Sequence, residues 1–524
     1  MQSEQERTNV LEQTVAQQSA RIEELETLVR YYEEQFRLQK HRQYGSSSEK
    51  GVPAEQLGLF DEAENTADQS LSEPTLEEIS YTRRKKRVGK REEDISRLPL
   101  EIVRHSLSEE ECICPECGNQ MHEMGHEIAR RELKVIPAQV VAVEYQRSAY
   151  ACRKCEKTND HVPMIKASIP EPVIKGSLAS PSAIAHIMVQ KYVMHAPLYR
   201  QEKDWERQGV ALSRQTMANW IIRAADDWLT PLYERMHTLL RKQEILHADE
   251  TGLQVLHEPG KPATSRSYMW LYRTSGDTKR HIILFEYQPN RSHLHPKQFL
   301  GDFNGLLHAD GYAGYHKLEP GVKIIGCWTH LRRKWHDALK VIPAEQRAES
   351  VAQQAIDKIG YLFHLEEIWK RLEPEERYRR RQEESKPLAE AFFAWCKGLR
   401  VLPQSAIGKA VHYALQQKPW LMNVYLDGRT ELSNNRIENS VRPFALGRKN
   451  WLFCNTVNGA KASSIVYSLI ETAMANGLKP FEYLEFLFET LPNTTSSSMD
   501  SLLPWGEAVP SHCKMSVLEV ANRA

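Results

Sequence analysis

At 524 residues the chain is too long for one hydrophobic core and predicts several domains. Its 69 Lys+Arg balance 69 Asp+Glu, and no run of about 18 apolar residues occurs, so a membrane-spanning helix is not expected. The segment Met1 to Thr8 is polar with no hydrophobic signal region, which points to the cytoplasm. Nine cysteines are too few for a disulfide framework at this length, and four of them form two C-x2-C pairs, a metal pattern in a reducing compartment. The neutral total hides an asymmetry. Residues 1–80 hold 17 Asp+Glu against 7 Lys+Arg, which leaves 62 Lys+Arg against 52 Asp+Glu in the remainder. A basic body fits a polyanionic partner, although the excess is spread thinly.

Leu11, Val15, Gln18, Ile22, Leu25, Val29, Tyr32 and Phe36 recur at alternating steps of four and three. That is an a/d stripe, so residues 1–45 are expected to form a coiled coil, with Gln18 a polar core position. A single amphipathic helix packed on the body is the alternative. Residues 46–95 are Ser-, Glu- and Asp-rich and are expected to be a flexible linker, ending in the basic arm Arg83-Arg-Lys-Lys-Arg87-Val-Gly-Lys-Arg91. Such an arm is either a solvated charge run or a phosphate contact without sequence reading.

Cys114-Pro-Glu-Cys117 and Cys152-Arg-Lys-Cys155 are separated by 34 residues. Two such knuckles close a four-thiolate tetrahedral site, so residues 96–165 resemble a zinc ribbon holding one structural Zn2+. Four buried free cysteines are the alternative, and Cys112 could replace Cys114. Val140 to Tyr150, between the pairs, alternates as a strand would.

Residues 166–243 read as helical. Pro181–Val193 and Pro197–Gln208 are two helices, and Gly209-Val-Ala-Leu-Ser213-Arg-Gln-Thr-Met-Ala-Asn-Trp220 has the form of a helix-turn-helix turn and recognition helix. Gly209 makes the turn, Val210 and Leu212 pack inward, and Ser213 caps. Arg214, Gln215 and Asn219 are then exposed donors for DNA. An ordinary three-helix packing unit would share the pattern.

From residue 244 the pattern changes to strands: Ile245–Leu256, Tyr268–Thr274 and His281–Tyr287, joined by turn signals as in an antiparallel meander. The first carries His247-Ala248-Asp249, and a fourth strand repeats this as His308-Ala309-Asp310. Another strand at Val322–Trp328 precedes a helix that carries Arg332 and Arg333, both candidates for DNA contact. The order three strands, helix, strand, helix, strand is that of an RNase H-like fold, in which the first and fourth strands are neighbours. Asp249 and Asp310 would then lie side by side as a divalent-metal pair; a cap and a turn are the bland readings. Residues 345–428 are helical and charged. Ser433 is expected to cap a further helix on which Asn434, Asn435, Glu438 and Arg442 share one face. Arg448, Lys449 and Trp451 follow as phosphate and base contacts. Trp328 is a second candidate for base stacking, with core packing the alternative for either tryptophan.

Taken together, His-Ala-Asp249-Glu-Thr, His-Ala-Asp310-Gly-Tyr-Ala-Gly-Tyr, Cys327-Trp-Thr-His330-Leu-Arg-Arg-Lys and Asn-Asn-Arg-Ile-Glu438-Asn-Ser-Val-Arg-Pro resemble the DDE transposases of the insertion sequence 66 family. The coiled coil, the zinc ribbon and the tail Leu502-Leu-Pro-Trp505 match as well. The resemblance implies a multidomain α+β protein. Its RNase H-like catalytic domain would occupy 244–344 and 429–490, interrupted by an α-helical insertion at 345–428 and followed by a tail at 491–524. It implies Asp249, Asp310 and Glu438 as a catalytic triad holding two Mg2+ (or Mn2+) ions for DNA strand cleavage and transfer. The expected partners are double-stranded DNA at the element ends and target, a second copy through the coiled coil, and accessory proteins of the same element. Bound to DNA, the protein would associate with the nucleoid. A zinc-ribbon and helix-turn-helix regulator with an inert RNase H-like domain, or a metal nuclease that cannot rejoin, are the rival readings.

Overall fold

Short-range signals set the helices that precede the sheet. In this computed structural model, which describes residues 139–151, 164–494 and 499–516 together with Val15, Gln17, Gln18, Ser19, Arg21, Ile22 and Val29, Ser180 caps α1 (Pro181–Tyr192) by accepting from the Ala183 N–H at 3.1 Å. Pro181 at the first position costs nothing there, because that N–H would lack a helical partner anyway. After α2 (Leu198–Arg207), Gly209 turns the chain at φ +85°, a conformation that strains other residues. Ser213 then caps α3 (Arg214–Ala224) through the Thr216 N–H at 3.1 Å. Leu212 is buried and Val210 half-buried, as the sequence predicts. A π-helical turn, Ala225–Leu229, leads into α4 (Thr230–Leu240).

Contacts divide the chain into Gly45–Val140, of which the last two residues alone are described, and a unit comprising the rest. Cys114, Cys117, Cys152, Cys155 and the basic arm lie outside the described residues, as do the heptad positions Leu11, Leu25, Tyr32 and Phe36. Val15, Gln18, Ile22 and Val29 are described, helical and exposed. The strand expected over Val140–Tyr150 is largely not one. Only β1 (Ala149–Ala151) pairs, antiparallel with β2 (Met164–Lys166). Val141, Val143 and Tyr145 are exposed, so among the described residues the apolar half of the alternation meets no face to bury against.

β3 (Ile245–His257), β4 (Arg266–Thr274) and β5 (Ile283–Gln288) form the expected meander. α5 (Leu294–Leu300) crosses to β6 (Gly305–Ala309), which pairs parallel with β3, His247 opposite His308. β7 (Val322–Gly326) pairs parallel with β6, giving the order β5-β4-β3-β6-β7. The first and fourth strands of this sheet are therefore neighbours. The helix expected between the fourth and fifth strands is instead a single 3-10 turn, Tyr315–Lys317. Gly311, Gly314, Pro320 and Gly321 leave no uninterrupted helical stretch there.

A second core begins at α6 (Trp328–Lys340) and runs through α7 (Val351–Trp369), α8 (Pro374–Arg380), α9 (Lys386–Gly398) and α10 (Ala406–Leu421). Trp328, Leu331 and Trp335 pack there with Ile359, Phe392 and Phe393. Each such side chain contributes about 1.5–3 kcal/mol on burial. One cation joins entry and exit. Arg381, 1% exposed, forks onto Glu366 (Nε to Oε1 2.7 Å, Nη2 to Oε2 2.6 Å). It also donates to the Asp427 carbonyl at 2.8 Å, the Thr430 hydroxyl at 2.9 Å and the Thr430 carbonyl at 2.7 Å.

The chain then returns to the sheet as α11 (Asn435–Trp451) and β8 (Cys454–Thr456), which pairs with the far end of β3. α12 (Val457–Ala475) locks onto the edge of β5. Its Thr472 and Ser468 hydroxyls accept from the Ile283 and Phe285 N–H groups at 3.0 and 2.8 Å. α13 (Pro480–Thr490) follows, and Leu502 and Leu503 of the tail are buried. No helix among the described residues is long and apolar enough to cross a membrane.

Candidate active site

Residues two apart on a strand share a face, so His247 and Asp249 face one way and Glu250 the other. Asp249 lies two residues beyond the paired His247, and Asp310 two beyond His308 on the parallel neighbour. Asp310 thus follows the carboxyl end of β6, whereas Asp249 is the fifth residue of β3, which continues to His257 rather than ending at the aspartate. Asp249 Oδ1 accepts the Glu250 N–H at 2.8 Å, and Asp310 Oδ1 accepts the Tyr312 N–H at 2.9 Å. Burial pushes the Asp249 carboxyl up to about 7, and the charges of Glu250, Asp310 and Glu438 add to the shift. Three sequence-predicted carboxylates therefore meet in one electrostatic neighbourhood. Glu438 is half-buried, and its Oε1 lacks a hydrogen-bond partner.

The layer beneath is closed. His247 and His308 are buried and stacked, with ring centroids 4.3 Å apart and planes 9° from parallel. Asn434 Nδ2 donates to the Ala248 carbonyl at 3.0 Å, which assigns its Oδ1 as acceptor for His247 Nδ1–H at 2.8 Å. The Glu431 N–H donates to His308 Nε2 at 3.3 Å. Burial drives the His247 imidazole down to about 4 and that of His308 well below the ordinary value, so both are neutral. The pair is a packed joint whose polar outlet is Asn434. That residue stands at the N-cap of α11, so the joint fixes where the helix bearing Glu438 begins.

This geometry corrects two expectations. Ser433 does not cap α11: Asn434 occupies the N-cap position, and its side chain makes no capping hydrogen bond. It turns instead to the sheet, where two buried partners hold it. Asn434 thereby leaves the shared face, while Asn435 and Arg442 remain exposed on it. Arg273 of β4 adds a second clamp, donating to the Arg436 carbonyl at 2.9 Å and the Ser440 hydroxyl at 2.8 Å.

Cys327 and His330 also reach the site. Cys327 is the N-cap of α6, and its buried Sγ accepts the Asn434 N–H at 3.2 Å. His330 Nε2 lies 3.9 Å from Glu438 Oε1. A hydrogen bond with Cys327, then the charges of Cys327, Glu438 and Asp310, raise the imidazole to about 9. Sequence reasoning missed Glu250 and Arg291. Glu250 accepts from Arg291 Nε and from the Tyr315 hydroxyl, each at 2.6 Å, and Arg291 Nη2 lies 3.8 Å from Asp310 Oδ2. The Asp-Glu dipeptide within a strand was the available signal, since it puts a second carboxylate on the opposite face.

The candidate DNA contacts separate into two groups. Arg214, Gln215 and Asn219 are exposed along α3, and Arg333, Arg442 and Lys449 are exposed on their helices. Arg332 is half-buried, and Arg448 is held by β3 through the Thr251 hydroxyl at 3.0 Å and the Gly252 carbonyl. Trp451 packs edge-on against Phe444, with centroids 5.5 Å apart. Trp328 is fully buried, with Nε1 donating to the Leu421 carbonyl at 3.1 Å, and is not free to stack on a base.

Comparison with known proteins places residues 176–462 in the family described as "Transposase IS66 family", a span that contains the three carboxylates. The chain belongs to the IS66 transposase family. Further matches agree with that membership: "zinc-finger binding domain of transposase IS66" over 111–156, "IS66 C-terminal element" over 468–505, and "Transposase C of IS166 homeodomain" over 31–103. Three relatives come from Sinorhizobium fredii (strain NBRC 101917 / NGR234). "Uncharacterized protein y4jD" is 30% identical over 79% of this chain and 82% of its own length. "Uncharacterized protein y4qI" is 30% identical over 76% and 75%, and "Uncharacterized protein y4hP" 26% over 84% and 81%. This member of the IS66 family is thus a DNA-binding transposase with a zinc-finger domain.

Proposed function

We propose that this transposase cleaves DNA at the ends of its insertion sequence and joins those ends to target DNA, using Asp249, Asp310 and Glu438 in an RNase H-like domain that the helical block 345–428 interrupts. The observation that supports this reading is the parallel pairing of β3 with β6, which sets Asp249 and Asp310 on neighbouring strands, with Glu438 near enough for its charge to act on the buried Asp249. The donor set fits a hard divalent cation, being carboxylate oxygen throughout, and Glu438 Oε1 is buried without a hydrogen-bond partner. Asp249, Asp310 and Glu438 would hold Mg2+ or Mn2+, two ions by the family resemblance, which supply charge neutralisation at phosphorus and a nucleophilic oxygen at neutral pH.

The chain's own residues do the positioning. The His247–His308–Asn434 joint sets the start of α11 and with it the reach of Glu438. Arg291 neutralises Glu250, so the fourth carboxylate does not compete for cations. Arg442, one turn beyond Glu438 and exposed, is placed to take a phosphate oxygen. Cys114, Cys117, Cys152 and Cys155 are read as the structural zinc ligands, and Arg214, Gln215 and Asn219 as readers of the element ends. Val15, Ile22 and Val29, exposed at seven-residue intervals on a helix, support a coiled coil that brings two ends together.

Incubating the full-length protein with element-end DNA and Mg2+ tests the reading. Cleaved ends and a joined product are expected, and Asp249→Asn should bind the ends without cutting them. Binding without cleavage by the unmodified protein would indicate a regulator, and cleavage without joining a nuclease.

A further inference from the structure

We propose that Cys327, His330 and Glu438 form a second metal site, selective for a thiophilic divalent ion such as Zn2+, which shares Glu438 with the catalytic carboxylates. Their ligand atoms lie within 4.8 Å of one another. Two ligands about 2.0–2.3 Å from one tetrahedral ion stand roughly 3.5 Å apart, so the 3.9 Å between His330 and Glu438 closes on a small side-chain rotation.

Three features prepare the site. Cys327 and His330 are the N-cap and third residue at the start of α6, a Cys-x2-His spacing that turns both side chains to one place. The Cys327 sulfur sits at a helix N-terminus and accepts the Asn434 N–H, which fixes its position beside His330 and Glu438. Glu438 Oε1 and His330 Nδ1 are buried without hydrogen-bond partners, so polar atoms at the site are unsatisfied as it stands. A thiolate, an imidazole and a carboxylate leave a fourth position open to water, a donor set that suits zinc over magnesium. On binding, the thiol and the imidazolium each release a proton to solvent, and no electron moves.

The sharing of Glu438 has a functional consequence, which rests on the reading of Glu438 as a catalytic ligand. Zinc in the second site would draw Glu438 away from Asp249 and Asp310 and oppose Mg2+-dependent cleavage. His330 and Cys327 would then set a metal-controlled brake on the transposase.

The test counts metal in the full-length protein equilibrated with Zn2+ and then desalted. Two zinc equivalents per chain are expected, one lost in Cys327→Ser or His330→Gln and the other in Cys117→Ser. Circular dichroism establishes that each variant is folded. Loading with Co2+ gives a second readout, in which Cys327→Ser removes part of the thiolate-to-cobalt charge-transfer intensity that Cys117→Ser leaves behind. Losing even a supporting partner of a metal site costs about 10–100-fold in affinity, so Cys327→Ser should raise the zinc concentration that half-inhibits cleavage at least tenfold. Asp249→Asn should keep both zinc equivalents while losing cleavage, which separates this site from the catalytic assignment. An unchanged zinc count in folded Cys327→Ser and His330→Gln would overturn the proposal.

Discussion

Arg381 and Asp249 are both charged groups taken out of water, and the molecule treats them in opposite ways. Arg381, between α8 and α9, has a bidentate carboxylate, two carbonyls and a hydroxyl around it. Asp249 has one backbone N–H and three other carboxylates nearby. The first arrangement stabilises a fold. The second is tolerated at a cost in stability, as expected where the missing positive charge arrives with a ligand. Counting the partners of a buried charge thus separates a brace from a site, and substitutions can test that rule.

The largest stability effect should come from the brace. Arg381→Met strands Glu366 and the 427–430 carbonyls, and should cost about 3–5 kcal/mol in urea unfolding. An effect below 1 kcal/mol would break the contrast. Glu286 is an intermediate case: Gln288 donates to its Oε1 at 2.7 Å, but its Oε2 has no partner. Burial raises this carboxyl to about 7 from 4.5. A raised acid favours the neutral form in the fold, so its contribution is fully present below pH 4.5 and is lost as pH rises to about 7. That loss is about 3 kcal/mol at most. Glu286→Gln should flatten it, measured as unfolding free energy at pH 5 against pH 8.

Asn434→Ala leaves His247 Nδ1–H and the Ala248 carbonyl unpaired, at about 1–3 kcal/mol. It should also lower cleavage, because α11 loses the contact that sets its start. Normal cleavage by a folded Asn434→Ala protein would remove the joint from the mechanism. The smallest shift has the opposite sign. Asp249→Asn removes one of the crowded charges and should stabilise the metal-free protein by on the order of 1 kcal/mol at pH 8. Destabilisation would mean that Asp249 is a brace after all.

What was legible in the sequence follows from how far each signal reaches. Ser180, Gly209 and Ser213 act within four residues, and their helices and turn formed as expected. The two His-Ala-Asp repeats were legible because each lies on a strand and the strand order made them neighbours, although β3 runs on past Asp249. Asn434 was not, because its partners lie 186 and 187 residues away, and its local role as a cap lost to them. Arg381 was hidden in a charge run. Arg379 and Arg380 stay exposed on i,i+3 and i,i+4 pairs with Glu376, Glu383 and Glu384, and nothing in that run marks the third arginine as the buried one. The Val140–Tyr150 alternation misled, since periodicity reports a strand only where a face exists to bury it, and among the described residues only Ala149 and Tyr150 of that stretch pair.

The long reach of Asn434 also orders events during synthesis. β3, β6 and both aspartates emerge first, and 127 residues, among them β7 and the helical block, separate Asp310 from Glu438. At roughly 5–20 residues per second that gap takes about 6–25 s to translate. Until Asn434 reaches His247 and docks α11, the two aspartates stand on a sheet that still lacks β8, without the proposed third carboxylate. On the proposed assignment, a chain stalled or truncated before Glu438 would lack one of the three carboxylates of the cutting site.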